Sequence, residues 1–147
     1  VNYTELTETE SRQVLQTRNL PTIRQWMFNP NPFTWEEHSH YVASLAQRQE
    51  KLYMAFFDGE QLMASYDLID IHDSQAECGF YLHPDYEGKG IASMVEERME
   101  EIAREKGIQT FTSQVLNTNT TSLAFLTRNG FRAQAKDENV TLFVKQI

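Results

Sequence analysis

A chain of 147 residues, 40% apolar and 12% aromatic, amounts to about one domain with material for a core, and no run approaches the roughly 18 to 20 apolar residues of a membrane span. Thirteen basic against twenty-one acidic side chains leave a net charge of −8, which opposes nucleic acid and ranks cationic partners such as amines above anionic ones. One cysteine, Cys78, excludes an internal disulfide and a CxxC zinc motif, and no charged-then-apolar leader is present, so a cytoplasmic home is expected.

The first third reads as three short helices. Val14 and Leu15 mark the first, and Ile23, Trp26 and Met27 follow the break at Pro21. In "NPNPFTWEE", Asn29 to Pro32 is a turn and Thr34 an N-cap with Glu37 three residues on, ahead of the stripe Tyr41, Val42, Leu45. From Lys51 the pattern changes to an antiparallel meander of three strands, reversing at Asp58-Gly59 and again near His72 to Ser74. Ile91, Met94, Val95, Met99, Ile102 and Ala103 then recur at helical spacing up to Gly107. A strand near 109–115, a helix near 120–129 ending at Gly130 and two closing strands complete the order. It predicts one α+β domain over 1–147, of three-layer α/β/α form, with a mixed, mostly antiparallel central sheet flanked by helices.

The turn "YEGKGIAS" stands between a strand and the long helix. Helix N-termini carry unpartnered N–H groups and the positive dipole end, so a turn stripped of side chains can hold a pyrophosphate. Gly88 and Gly90 permit close approach, Ala92 is small, Lys89 adds a point charge, and the amides from Gly88 to Ser93 would bind. A plain turn is the competing reading. There is no GxxxxGK[ST], and the meander denies the setting of a dinucleotide-binding fold. In the strand before the turn, alternation sends Cys78, Phe80 and Leu82 to one face and Glu77, Gly79, Tyr81 and His83 to the other, either a cleft wall or an exposed sheet face.

"FYLHPDYEGKGIA", a helix, a strand and "NTNTTSLAFLTRNGF" together resemble the GNAT superfamily of acetyl-CoA-dependent N-acetyltransferases, over about residues 50 to 147. The family pattern Q/R-x-x-G-x-G/A falls on Glu87, Gly90 and Ala92, with Glu87 departing from it. The resemblance implies acetyl-CoA as co-substrate and a core at 51–147 that holds it. Phe80 to Leu82 would hold pantetheine, and Glu87, Gly88, Lys89, Gly90, Ile91, Ala92 and Ser93 the pyrophosphate. Asn119, Ser122 and Gly130-Phe131 match the second cofactor-side motif. Many members place a tyrosine, as acid to the leaving thiolate, where this chain has Leu126. The pattern is nearer the branch holding ribosomal-protein-alanine acetyltransferases, which makes Ser122 the candidate acid; a serine satisfying backbone donors at the helix start is the alternative.

Residues 1–50 form a helical, acceptor-side segment. "RNLPTIRQWMFNPNPFTWEEHSHYVASL" is similar to that of acetyltransferases acting on nucleotide-linked amino sugars, through Arg18, Asn19, Arg24, Trp26, Met27, Asn29 and His38. Trp26, Phe28, Phe33 and Trp35 offer stacking surface, or core. An alkylammonium near pKa ~10 must lose a proton before attack, and Glu77 is the first candidate base, with His83 and Tyr81 behind it. His38 and His40, two apart on a helix, face different ways, so no metal site is expected. The readings are thus transfer to a small-molecule primary amine, transfer to a protein N-terminus, or a non-catalytic acetyl-CoA-binding module; no nucleic acid or membrane partner is expected, and a homodimer stays open.

Overall fold

The computed structural model describes residues 2–6 and 8–147. Its centre is a seven-stranded sheet in the order β1-β2-β3-β4-β5-β7-β6. The strands are β1 (Asn2–Glu5), β2 (Leu52–Asp58), β3 (Gln61–His72), β4 (Gln75–Leu82), β5 (Thr110–Leu116), β6 (Arg132–Lys136) and β7 (Val140–Gln146). Every neighbouring pair is antiparallel except β4 with β5. The helices are α1 (Glu8–Arg18), α2 (Pro21–Arg24), α3 (Trp35–Leu45), α4 (Ile91–Glu105) and α5 (Thr120–Arg128), with a 3-10 turn at Pro84–Tyr86.

The alternation of β4 decides the layers. Cys78 and Phe80 join Tyr66, Leu68 and Phe111 under Val95, Met99 and Ala103 of α4, each of these three fully buried. Each large apolar side chain so covered contributes about 1.5 to 3 kcal/mol. On the other face Tyr53, Ala55 and Tyr81 meet Val14 of α1 and Val42 of α3. Gln13 ties α1 to the β2–β3 hairpin, donating to the Glu60 carbonyl at 2.9 Å and accepting from the Leu62 amide at 3.0 Å.

The local signals hold. Thr34 caps α3, its hydroxyl accepting the Glu37 amide at 3.1 Å. Gly59 turns the first hairpin at φ 59°, Asp73 and Ser74 turn the second, and Gly107 follows α4 at φ 80°. The first third is not wholly helical, however, because Asn2–Glu5 pairs with β2 as an edge strand. Four polar-rich residues carry no strand periodicity; the open edge of β2 recruits them.

The basic residues near the N-terminus are committed within the fold. Arg18, 8% exposed, donates to the carbonyls of Asn29 (2.7 Å) and Asn31 (3.4 Å), and its guanidinium lies 4.2 Å from the Phe33 ring centroid. Arg24 donates to the Pro30 carbonyl at 3.1 Å. The Asn19 amide exchanges hydrogen bonds with the Phe33 backbone at 2.8 and 2.9 Å. These side chains staple the 29–33 turn. Removing a charged donor to carbonyls costs about 1.5 to 3 kcal/mol. Arg18→Ala is therefore expected to lower stability in urea by about that amount while leaving acetyl-CoA affinity unchanged; a stable variant with weakened acceptor binding would instead return Arg18 to a substrate role.

Candidate active site

β4 and β5 run together only from Gln75↔Thr110 to Glu77↔Thr112. Beyond that register their backbones part, and the Ser113 hydroxyl reaches the Cys78 carbonyl at 3.3 Å. One edge of β4, from Gly79 to Leu82, is thereby left without a strand partner. A cleft of about 840 Å³ opens there, walled by β4, the 86–93 turn, the end of β5, α5 and the segment 22–28.

The turn at its mouth has the form read from the sequence. Gly88 and Gly90 take left-handed φ of 74° and 75°, and a Cβ built on either meets nothing within 4 Å. Gly90 is the N-cap of α4 and supplies no side-chain acceptor. Among the described residues no backbone carbonyl accepts from the amides of residues 88–93. Six successive free donors at a helix start make an anion cradle.

Of the expected cofactor-side residues, Phe80, Leu82, Glu87, Gly88, Gly90, Ile91, Ala92, Ser93, Asn119 and Ser122 all line the cleft. Lys89 does not; its ammonium lies 5.8 Å from the Tyr86 ring centroid. Arg128, at the end of α5, lines the wall and was not foreseen, its position being set by packing that no motif encodes. Asn119 caps α5 by accepting the Ser122 amide at 3.3 Å, and Ser122 itself stands on the cleft wall.

The candidate bases separate. Glu77 lines the cleft and accepts from Gln114 across the parting strands at 2.7 Å. Tyr81 lines it too, but its phenol donates to the Val14 carbonyl at 3.2 Å and meets the Tyr53 hydroxyl at 3.1 Å, and burial pushes it up to about 12. His83 lies outside this cleft: its ring accepts the Asp85 amide at 3.2 Å and borders a smaller cavity with Gln13 and Gln61. On the acceptor side, Trp26, Met27 and Phe28 overhang the cleft, with Trp26 37% and Phe28 61% exposed. Arg18, Arg24, Asn29 and His38 are not brought to it. His38 is buried beside Trp35, and burial lowers its pKa.

Two carboxyls escaped the sequence reading. Asp67 of β3 lines the cleft next to Glu77. Glu96 of α4 is 2% exposed, receives the Tyr66 hydroxyl at 2.9 and 3.1 Å, and neighbours Glu100, which Lys145 meets at 2.7 Å. Burial raises Glu96 to about 8. A charged residue within an apolar helix stripe, spaced four from another, was the one available signal for it.

An anion cradle leading into a gap between two parting parallel strands, with carboxyls on the far wall, is the architecture of an acyltransferase that takes its acyl group from a phosphate-bearing carrier. The comparisons agree. The acetyltransferase (GNAT) domain family matches residues 2–132, and the chain belongs to that family as an N-acetyltransferase. Acetyltransferase PseH of Campylobacter jejuni is 33% identical over 95 residues in the serotype O:2 strain, a stretch covering 65% of this chain and 60% of that protein. PseH of strain 81-176 is 28% identical over 138 residues, covering 94% and 87%. The crystal structure of Campylobacter jejuni N-acetyltransferase PseH with acetyl coenzyme A superposes with a TM-score of 0.77 at 21% identity, over 99% of this chain and 97% of the other. RimL, a ribosomal L7/L12 alpha-N-protein acetyltransferase, reaches 0.85 at 20%, over 99% and 89%. At these identities the structural likenesses show the fold.

Proposed function

We propose that this chain moves the acetyl group of acetyl-CoA to the primary amine of a small molecule, with an amino sugar as the first candidate. The observation that carries the donor half is the run of six unpartnered amides at residues 88–93, opening onto the edge of β4 that β5 vacates. Pyrophosphate on the amides would direct the pantetheine arm along Phe80 to Leu82 and bring the thioester between Ser122 and Glu77. Holding donor and acceptor together supplies much of the rate by proximity, so the absence of a tyrosine at Leu126 is compatible with transfer.

The acceptor half supports the small-molecule reading through its size and its chemistry. A cleft of about 840 Å³ has to take both the acetylated arm and the acceptor, which suits a compact amine. Its wall carries Asp67 and Glu77 while Arg18 and Arg24 are spent on the 29–33 turn, an arrangement that suits an ammonium group. Trp26 and Phe28 offer apolar faces for a sugar ring. The same acidity favours a second reading, the α-amine of a cationic peptide.

The test is thiol release from acetyl-CoA by the pure protein against glucosamine, a nucleotide-linked 4-amino sugar, spermidine and an alanine-initiated tripeptide. Turnover fastest with an amino sugar is expected. Preference for the tripeptide selects the second reading, and binding of acetyl-CoA without turnover of any amine identifies a non-catalytic module.

A further inference from the structure

Gly79 is the one glycine in the middle of a strand, and its φ lies outside the left-handed region, so backbone conformation does not call for it. Space does. A Cβ placed on residue 79 would fall 2.2 Å from Oδ1 of Asp67 and 3.2 Å from its Cγ. Asp67 and Gly79 are register partners on β3 and β4, and the missing side chain is the room that the carboxylate occupies. The carboxylate thus leans over β4 toward the edge where β5 departs, between Glu77 and Tyr81 on the cleft face.

Its own amide and that of Gly79 favour its charged form. Among the described residues no arginine, lysine or histidine forms an ion pair with it. The titratable groups facing it are Lys51 and Tyr53 of the β2 side, Tyr41 of α3, and Glu77 and Tyr81 of β4; the Lys51 ammonium sits 5.2 Å from the Tyr41 ring centroid. A half-buried carboxylate that forms no ion pair among the described residues, on the wall of a cleft, is a seat for an ammonium group.

Resting on the N-acetyltransferase reading above, we infer that Asp67 binds the acceptor's ammonium and takes its proton, and that Gly79 is the space that permits it. The proton passes from R–NH3+ to the carboxylate, the freed nitrogen lone pair attacks the thioester carbonyl carbon, and the C–S bond breaks. The second N–H proton ends on the departing sulfur, giving amide and CoA thiol, and protonated Asp67 returns its proton to solvent. Burial raises Asp67 to about 6, so at neutral pH it is ionised yet close enough in basicity to accept and release a proton.

The decisive measurement is the pH dependence of kcat/KM, with whichever of the four amines above the wild type acetylates fastest. The wild type is expected to rise to a plateau above about pH 6, because it uses the abundant ammonium form. Asp67→Asn is expected to lose about 100-fold at pH 7 and to rise tenfold per pH unit up to the amine's own pKa, since only free amine then reacts, with acetyl-CoA affinity unchanged by calorimetry. Gly79→Ala, which crowds the carboxylate without removing it, is expected to move the acid limb upward. Should Asp67→Asn not fold, a wild-type profile that climbs tenfold per unit from about pH 5.5 to the amine's own pKa, with no break near pH 6, overturns the inference by itself. A folded Asp67→Asn with the wild-type profile, or lowered equally at every pH, overturns it while leaving the acetyltransferase reading intact. A wild type that binds acetyl-CoA but acetylates no amine overturns both.

Discussion

Gly90→Val is expected to weaken acetyl-CoA binding by at least about 100-fold in calorimetry while the protein remains folded. Gly90 holds φ 75° and ψ 6° at the N-cap of α4, a conformation that costs a β-branched residue on the order of 1 to 2 kcal/mol. The new methyls meet no protein atom, because a Cβ at this position points into open space. The turn then has two options. It can keep its dihedrals, with a branched side chain standing at the cradle, or relax them and reorient the 88–93 amides. Either removes several hydrogen bonds to charged oxygens, each of about 1.5 to 3 kcal/mol. Gly107→Val is the matched control: it carries the same left-handed strain at φ 80°, also with nothing within 4 Å, at the opposite end of a helix about 22 Å long. Loss of stability in both variants with loss of binding only in Gly90→Val is the expected pattern. Equal binding in all three proteins would remove the cradle from the mechanism.

Glu96→Gln is expected to stabilise the protein at alkaline pH, where the wild type loses stability that the variant keeps. The Glu96 carboxyl is raised from its ordinary value of 4.5 to about 8, first by burial and then by Glu100 beside it. Between those two values the folded protein keeps a proton that the unfolded chain has released. Stability is therefore fully present below about pH 4.5 and falls as pH rises toward 8, by at most about 1.4 kcal/mol per unit. A glutamine still accepts the Tyr66 hydroxyl and can donate to Glu100, yet has no proton to lose. The melting temperature of the wild type should drop between pH 5 and 9. That of the variant should change less, with the two curves meeting at the acid end. Asp67, raised from 3.8 to about 6, adds a smaller fall of the same sign that the variant retains. A variant less stable than wild type at pH 9 would show Glu96 to be ionised and well paired.

The features of this chain that were legible in the sequence are those whose cause is local. Thr34 and Glu37 are three residues apart, Asp58-Gly59 fills one turn, and Ile91 to Ala103 repeat along one helix; each can be judged from a few neighbours. The 88–93 turn belongs with them, because bare amides at a helix start are a property of six consecutive residues, and the family resemblance rests on the same stretch. Alternation along β4 separated Cys78 and Phe80 from Tyr81 onto the two faces of the sheet, while the cleft, which opens at the strand's edge, is lined from both sets.

What only the tertiary structure decided depends on register across elements far apart in the chain. Asn2–Glu5 is a strand only because β2 offers an edge. Arg18 and Arg24, which resemblance assigned to the acceptor, sit where the 29–33 carbonyls reach them first, and a guanidinium inside the fold takes the nearest acceptors. Asp67 became part of the site because the β3–β4 pairing sets it opposite Gly79, and Glu96 because α4 turns it toward Tyr66. A carboxyl's basicity is set by what surrounds it in three dimensions, and neither its own identity nor its neighbours in sequence carry that information.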